Sequence, residues 1–261
     1  MVVVTEDQRD IILHAVQSMY TEVATRPEQE FHFPTGRAAC EFVGYPAEDL
    51  DALPDTAVKS FAGVGYPFAA EVIRPGDTVL DIGSGSGTGV LIAAQRVSPA
   101  GEVIGLDMTA AMGEKLNANA RKMGADQVRE LAGTAEEIPL PNASVDVVTS
   151  NGVLNLVPDK EEAVCQIFRV LRPGGRVQIA DIVVSTEPSA ACRSQPQLWA
   201  ECIVGATTEE EYLGFFRSVG FEEVEVLSHL DYFSGSASGG TRQVAGSFGA
   251  RMMVMRAVKP R

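Results

Sequence analysis

Apolar positions fall into two periodicities along the chain, and they predict where its elements lie. From residue 6 to 25, Ile12, Val16, Met19 and Val23 recur at three- and four-residue steps, so one face of a helix is apolar, with Thr5 placed as its cap. Residues 26–76 break that rhythm with Pro and Gly. The breaks fall at Phe31-His32-Phe33-Pro34, at Gly44-Tyr45-Pro46 and at Phe61-Ala62-Gly63-Val64-Gly65-Tyr66-Pro67, leaving room for short helices such as 47–53. From residue 77 onward, short apolar runs alternate with helical patterns. Strands are expected at 78–82, 102–107, 127–131, 145–150, 176–181, 222–228 and 251–258, with helices at 88–97, 110–123, 159–171 and 208–219. Arg172-Pro173-Gly174-Gly175 reads as a sharp break before the fifth strand, and 234–240 as a Gly/Ser loop.

Strands alternating with helices predict an α/β fold with a doubly wound, mostly parallel, seven-stranded sheet of Rossmann-like type. Residues 1–76 are expected to form a helical amino-terminal cap over the site, and 77–261 the sheet domain. Residues 186–206 are an insertion after the fifth strand, where ligands of such sheets bind.

Val79-Leu80-Asp81-Ile82-Gly83-Ser84-Gly85-Ser86-Gly87 carries the main chemical signal. A strand ends in an acid, and three glycines follow at alternate positions. They allow a tight turn and close approach of a ligand to the backbone. The helix behind Gly87 aims its amino end at that ligand and favours a carboxylate. Asp107 ends the next strand, one strand–helix–strand unit later, where a carboxylate can accept both hydroxyls of a ribose. The set describes a pocket for a nucleoside cofactor. Met108, beside Asp107, is placed either to pack on a base or to fill the core.

The chain has 261 residues, 45% apolar, and a formal net charge of −14. No Lys/Arg cluster offers a footprint for nucleic acid or an anionic membrane, and no apolar run approaches the ~20 residues of a membrane span. The amino terminus has no secretory pattern, so the expected compartment is the cytoplasm. Cys40, Cys165, Cys192 and Cys202 match no zinc spacing and are expected to be reduced thiols. A small-molecule substrate fits this composition. A monomer and a homodimer fit equally.

Asp-x-Gly-x-Gly-x-Gly resembles motif I of class I methyltransferases that use S-adenosylmethionine and release S-adenosylhomocysteine. That resemblance places Asp81, Gly83, Ser84, Gly85, Gly87, Asp107 and Met108 at the cofactor. It extends to Gly133-Thr134-Ala135-Glu136, where many methyltransferases read Gly-Asp-Ala-Glu and the Asp meets the adenine amine. Here Thr134 takes that position, with Ala135 and Glu136 as further contacts. Asn151 ends the fourth strand, where a carbonyl can meet the methionine amine; a capping turn is the other reading.

Three segments narrow the resemblance: Leu106-Asp107-Met108-Thr109, Ser150-Asn151-Gly152-Val153-Leu154-Asn155-Leu156-Val157-Pro158-Asp159-Lys160, and Leu198-Trp199-Ala200-Glu201-Cys202. They resemble the arsenite methyltransferase family, in which three cysteine thiolates hold trivalent arsenic beside the methyl donor. The likeness implies that role for Cys202. The second thiol position is Gly152 and the third is Val64, and Thr88 replaces a common arginine. A substitute arsenic site would pair Cys192 with Cys202, joined by Cys40, with glutathione or another thiol as partner. The alternative is a pocket retooled for an organic acceptor. There His32, Tyr66, Trp199, Glu201, Asn155 and the space at Gly152 shape the site, and His32, Glu201 or Asp181 supplies a base. No metal site is expected. A third reading is a cofactor-binding protein without catalysis.

Overall fold

Alternation along the strands decides which side chains meet. Val79, Val103, Val147, Ala180, Ile182, Met252 and Val254 are buried on one face of the sheet. Leu80, Ile82, Ile104, Leu106, Val148, Val177, Ile179, Met253 and Met255 are buried on the other. Two apolar faces require two helical layers, because a strand's successive side chains point to opposite sides.

The computed structural model describes residues 6–98, 100–189, 199 and 202–261. It begins with α1 (Glu6–Thr25), α2 (Gly36–Phe42), α3 (Ala47–Asp51) and α4 (Asp55–Lys59). Then follow β1 (Thr78–Ile82), α5 (Thr88–Val97), β2 (Glu102–Asp107), α6 (Ala110–Met123), β3 (Val128–Ala132), β4 (Val145–Asn151), α7 (Lys160–Val170) and β5 (Leu171–Val183). The chain ends with α8 (Glu209–Val219), β6 (Glu222–Leu230), α9 (Gly239–Phe248) and β7 (Arg251–Val258).

The seven strands lie in the order β3-β2-β1-β4-β5-β7-β6. The first five run parallel, and β7 pairs antiparallel with both β5 and β6. This is the doubly wound, mostly parallel sheet expected from the alternation. The order reverses between β1 and β4, which opens the crevice at their carboxyl ends. The amino-terminal helices share one buried cluster with α5, α6 and the sheet: Ile12, Val16, Val23, Cys40 and Phe61 pack with Val79, Val90 and Leu116.

Two expectations need correcting. Arg172-Pro173-Gly174-Gly175 does not break the chain before β5. Leu171 already pairs with Val145, Arg176 pairs with Val147, and the four residues between are accommodated as an irregularity of the strand. The segment read as a Gly/Ser loop leads into α9. Ser238 caps that helix, its hydroxyl accepting the Thr241 N–H at 3.2 Å, which offsets the poor helix propensity of Gly239 and Gly240. Among the described residues, no helix is long and apolar enough to cross a membrane.

Candidate functional site

The alternation that splits the core also sorts the candidate acids. Asp81 is two residues from Val79, and Asp107 four from Val103, so both project on the face covered by the amino-terminal helices. The loop between them turns at Gly83, Gly85 and Gly87, all with positive φ. Gly87, at φ 102°, caps α5, and a Cβ there would come within 2.6 Å of Leu116 Cδ1. Only glycine fits that turn and that contact.

Asp107 holds the loop in shape. Its Oδ2 accepts the Gly85 N–H at 2.9 Å and its Oδ1 the Thr109 N–H at 2.8 Å. Burial raises its pKa in spite of these bonds. Asp81 is buried beside the amino end of α5, with Oδ2 3.0 Å from where a Cβ on Gly89 would stand. Among the described residues its carboxylate takes no hydrogen bond. Burial, with repulsion from Asp107, pushes its pKa up to about 8.

The loop is also tied to the amino-terminal helices. Ser86 Oγ and Thr88 Oγ1 donate to the Ala57 carbonyl at 2.7 and 3.0 Å. From α6 on the other side, Asn119 Nδ2 donates to the Ser86 carbonyl at 2.9 Å. Thr88, the departure from a family arginine, thus spends its hydroxyl on the helix above it.

A single cavity runs from this loop to α1. Its wall includes Asp81, Gly83, Ser84, Gly85, Asp107, Met108, Thr134, Ala135, Glu136, Asn151 and Gly152 from the sequence candidates. The structure therefore brings these residues together. Gly87 sits behind the wall as the α5 cap. Glu136 and Asn151 on the wall are engaged as well. Glu136 Oε2 pairs with Arg9 Nη2 at 2.6 Å, and its Oε1 accepts the Asp159 N–H at 2.8 Å. Asn151 Oδ1 accepts the N–H groups of Val64 and Gly65, at 2.8 and 3.1 Å, and its Nδ2 donates to Tyr45 Oη and the Gly65 carbonyl. Asn151 is a staple between β4 and the 63–65 turn.

The acceptor candidates are mostly placed elsewhere. Asp181 lies one residue from Ala180 and Ile182, so it projects on the opposite face, which corrects its placement at the site. There it accepts from Tyr212 Oη at 2.9 Å and the Asn155 N–H at 3.0 Å, and burial raises its pKa to about 6. Asn155 is fully buried outside the cavity wall, and its Nδ2 donates to the Cys202 carbonyl at 3.1 Å. Trp199 is buried too, its Nε1 donating to the Leu156 carbonyl at 2.8 Å. Tyr66 Oη donates to Asp49 and accepts from Arg96, away from the wall.

Cys40 is fully buried, and its thiol is pushed up to about 12, so it stays protonated at neutral pH. His32 packs edge-on against Phe33, and burial lowers its pKa; it is outside the wall. Cys202 is buried at φ 64° behind Tyr20, whose hydroxyl hydrogen-bonds its side chain. Cys192 and Glu201 lie outside the described residues.

The expected cap does supply cavity wall, from Leu13, Val16 and Tyr20 of α1 with Tyr45 and Phe61. Sequence reasoning did not single out Leu13 and Tyr20, which flank Val16 at three- and four-residue steps on the same helix.

A family model for a methyltransferase domain matches residues 73–220. An arsenite methyltransferase of Halobacterium salinarum is 39% identical over 192 residues, covering 74% of this chain and 49% of that protein. The arsenite methyltransferase of Homo sapiens is 37% identical over 152 residues, covering 55% of this chain and 40% of that protein. The chain spans about half the length of such curated relatives. The crystal structure of an arsenic(III) S-adenosylmethionine methyltransferase from Chlamydomonas reinhardtii superposes with a TM-score of 0.64 at 28% identity, over 87% of this chain and 75% of that one.

Proposed function

We propose, from the premise that this chain belongs to the methyltransferase-domain family, that it binds S-adenosylmethionine under α1 and transfers its methyl group to a small molecule. The observation that carries the reading is the glycine loop fastened to Asp107 through the Gly85 N–H, with the Asp81 carboxylate left unpartnered in the same cavity.

The residues fit the cofactor. Asp107 spends one lone pair on each backbone N–H and keeps the others for ribose hydroxyls. Asp81 is a buried carboxylate waiting for a cation, and a cationic ligand removes the cost of ionising it. The amino end of α5 behind Gly87 suits a carboxylate. Thr134 and Ala135 line the same cavity as Asp107 and are available to an adenine.

Bound there, S-adenosylmethionine supplies a sulfonium-activated methyl, so the acceptor needs chiefly a lone pair in line with the S–CH₃ bond. Leu13, Val16 and Tyr20 give the cavity an apolar wall on the α1 side. Arsenite is the acceptor that the relatives' names put forward. In that form of the reading Cys202, bonded to the wall residue Tyr20, supplies a thiol.

The test is calorimetric titration with S-adenosylhomocysteine, followed by transfer of labelled methyl to arsenite in excess glutathione and to an organic acceptor panel. Saturable binding with labelled product supports the reading. Absence of binding rejects it. Binding without transfer to any acceptor leaves a cofactor-binding protein that does not catalyse.

A further inference from the structure

Leu13, Val16, Tyr20, Tyr45, Phe61 and Leu156 line the same cavity as the glycine loop. We propose that this apolar part of the wall takes an uncharged organic acceptor with an apolar body, rather than an anion or a metalloid. The inference rests on the methyl-transfer reading above and names the substrate class of the same site.

Three observations carry it. First, the charged side chains in the described wall are Asp81, Asp107 and Glu136, and no Lys, Arg or His is among them. An anionic acceptor would enter a partly desolvated space whose described wall offers no cation to meet its charge. Second, no described cysteine lines the wall, and no group of three His, Cys, Asp or Glu able to hold a metal ion is found among the described residues. A thiophilic ion needs several soft ligands converging on it. Third, apolar side chains with a few convergent polar groups are what recognise small organic molecules. Tyr45 supplies such a group. Its hydroxyl accepts from Asn151 Nδ2 at 3.1 Å and so points its own proton away from that donor.

The transfer balances without another reactant. The acceptor's lone pair forms the bond to the methyl carbon, the S–CH₃ pair returns to sulfur, and the positive charge leaves as the proton the acceptor gives up to water.

Three probes test this on the full chain saturated with S-adenosylhomocysteine: 2-naphthol, its anionic counterpart 2-naphthoate, and arsenite. Calorimetry should show 2-naphthol binding saturably, at least tenfold tighter than 2-naphthoate, and arsenite giving no heat. Leu13→Lys, on a partly exposed position of α1, should move the preference toward 2-naphthoate by tenfold or more. Leu13→Met should leave it unchanged. Equal binding of the two naphthyl probes, or saturable arsenite binding, overturns the inference, as does silence from 2-naphthol. Failure of S-adenosylhomocysteine to bind would instead sink the methyl-transfer reading beneath it.

Discussion

Val64 Cγ1 lies 3.1 Å from where a Cβ on Gly152 would stand. These are the two positions where the arsenite methyltransferase resemblance expects thiols, and the fold sets them side by side. Gly152 also has φ 74°, a left-handed conformation that costs a side-chain-bearing residue roughly 1–2 kcal/mol. Gly152→Ala should therefore lose about 2 kcal/mol in urea unfolding, from the backbone and from the contact with Val64. Val64→Ala alone has no such contact to relieve and costs only the packing of its buried side chain. The double variant should recover about 1 kcal/mol relative to the sum of the singles. Strict additivity would show that Val64 does not confine position 152.

Asp107 joins two backbone N–H groups, and its effect should appear in the loop as much as in affinity. Asn in its place keeps one acceptor oxygen and puts an N–H₂ group against one of the two donors. Asp107→Asn should weaken S-adenosylhomocysteine at least tenfold and raise hydrogen exchange at Gly85 and Thr109. Weakened binding with unchanged exchange would separate the ligand role from the loop-shaping role.

Much of the fold was legible because strand patterns and glycine spacing are local. The acid at 81, the turn at 83–87 and the acid at 107 all follow from short-range sequence. The face of Asp181 is legible too, since its neighbours Ala180 and Ile182 are apolar, but β5 runs on to Val183, so position 181 is neither the strand's end nor on the site's face. The contacts that build the roof were hidden. The bonds from Ser86 and Thr88 to Ala57, and from Asn151 to Val64 and Gly65, join segments far apart in sequence. Ordinary polar residues make them, and no local pattern marks their partners. The displacement of Cys40 and His32 from the cavity has the same origin. Burial of the amino-terminal segment against α5 and the sheet draws its small and aromatic residues into the shared core.

The raised pKa of Asp81 has a definite sign in stability. Burial first, then Asp107, lifts it to about 8, while an unfolded aspartate titrates near ~3.9. Between those values the folded chain holds a proton that the unfolded chain has lost, so this group makes stability fall as pH rises across the window. Asp181, raised to about 6, adds the same sign at the acid end. Asp81→Asn should flatten the slope between pH 6 and 8 by up to about 1.4 kcal/mol per pH unit and leave the Asp181 share below it. Comparing variant with parent cancels His32, whose burial-lowered pKa acts in the opposite direction. Urea unfolding across a pH series measures both slopes. Parallel curves would mean that Asp81 ionises normally in the folded chain.

Helix α1 roofs the cavity but is pinned to its rim by two polar contacts. Arg9 meets Glu136 at 2.6 Å, with the arginine side chain 40% exposed and the glutamate 5%. Gln17 Nε2 donates to the Met108 carbonyl at 2.9 Å. Because the Arg9 side chain is 40% exposed and Gln17 is exposed, these contacts contribute about 1 kcal/mol each to global stability. Their weight falls instead on how often α1 lifts, because local opening is governed by the contacts of the element that opens. The double variant Arg9→Ala, Gln17→Ala should unfold within about 2 kcal/mol of the parent. Its α1 amides should exchange at least fivefold faster, and S-adenosylhomocysteine should associate and dissociate faster by similar factors, leaving Kd nearly constant. Surface plasmon resonance gives both rates. If exchange accelerates and the association rate does not, the ligand enters by a route that does not pass under α1. The 63–65 turn held by Asn151 then becomes the segment to loosen next, because it closes the other side of the same cavity.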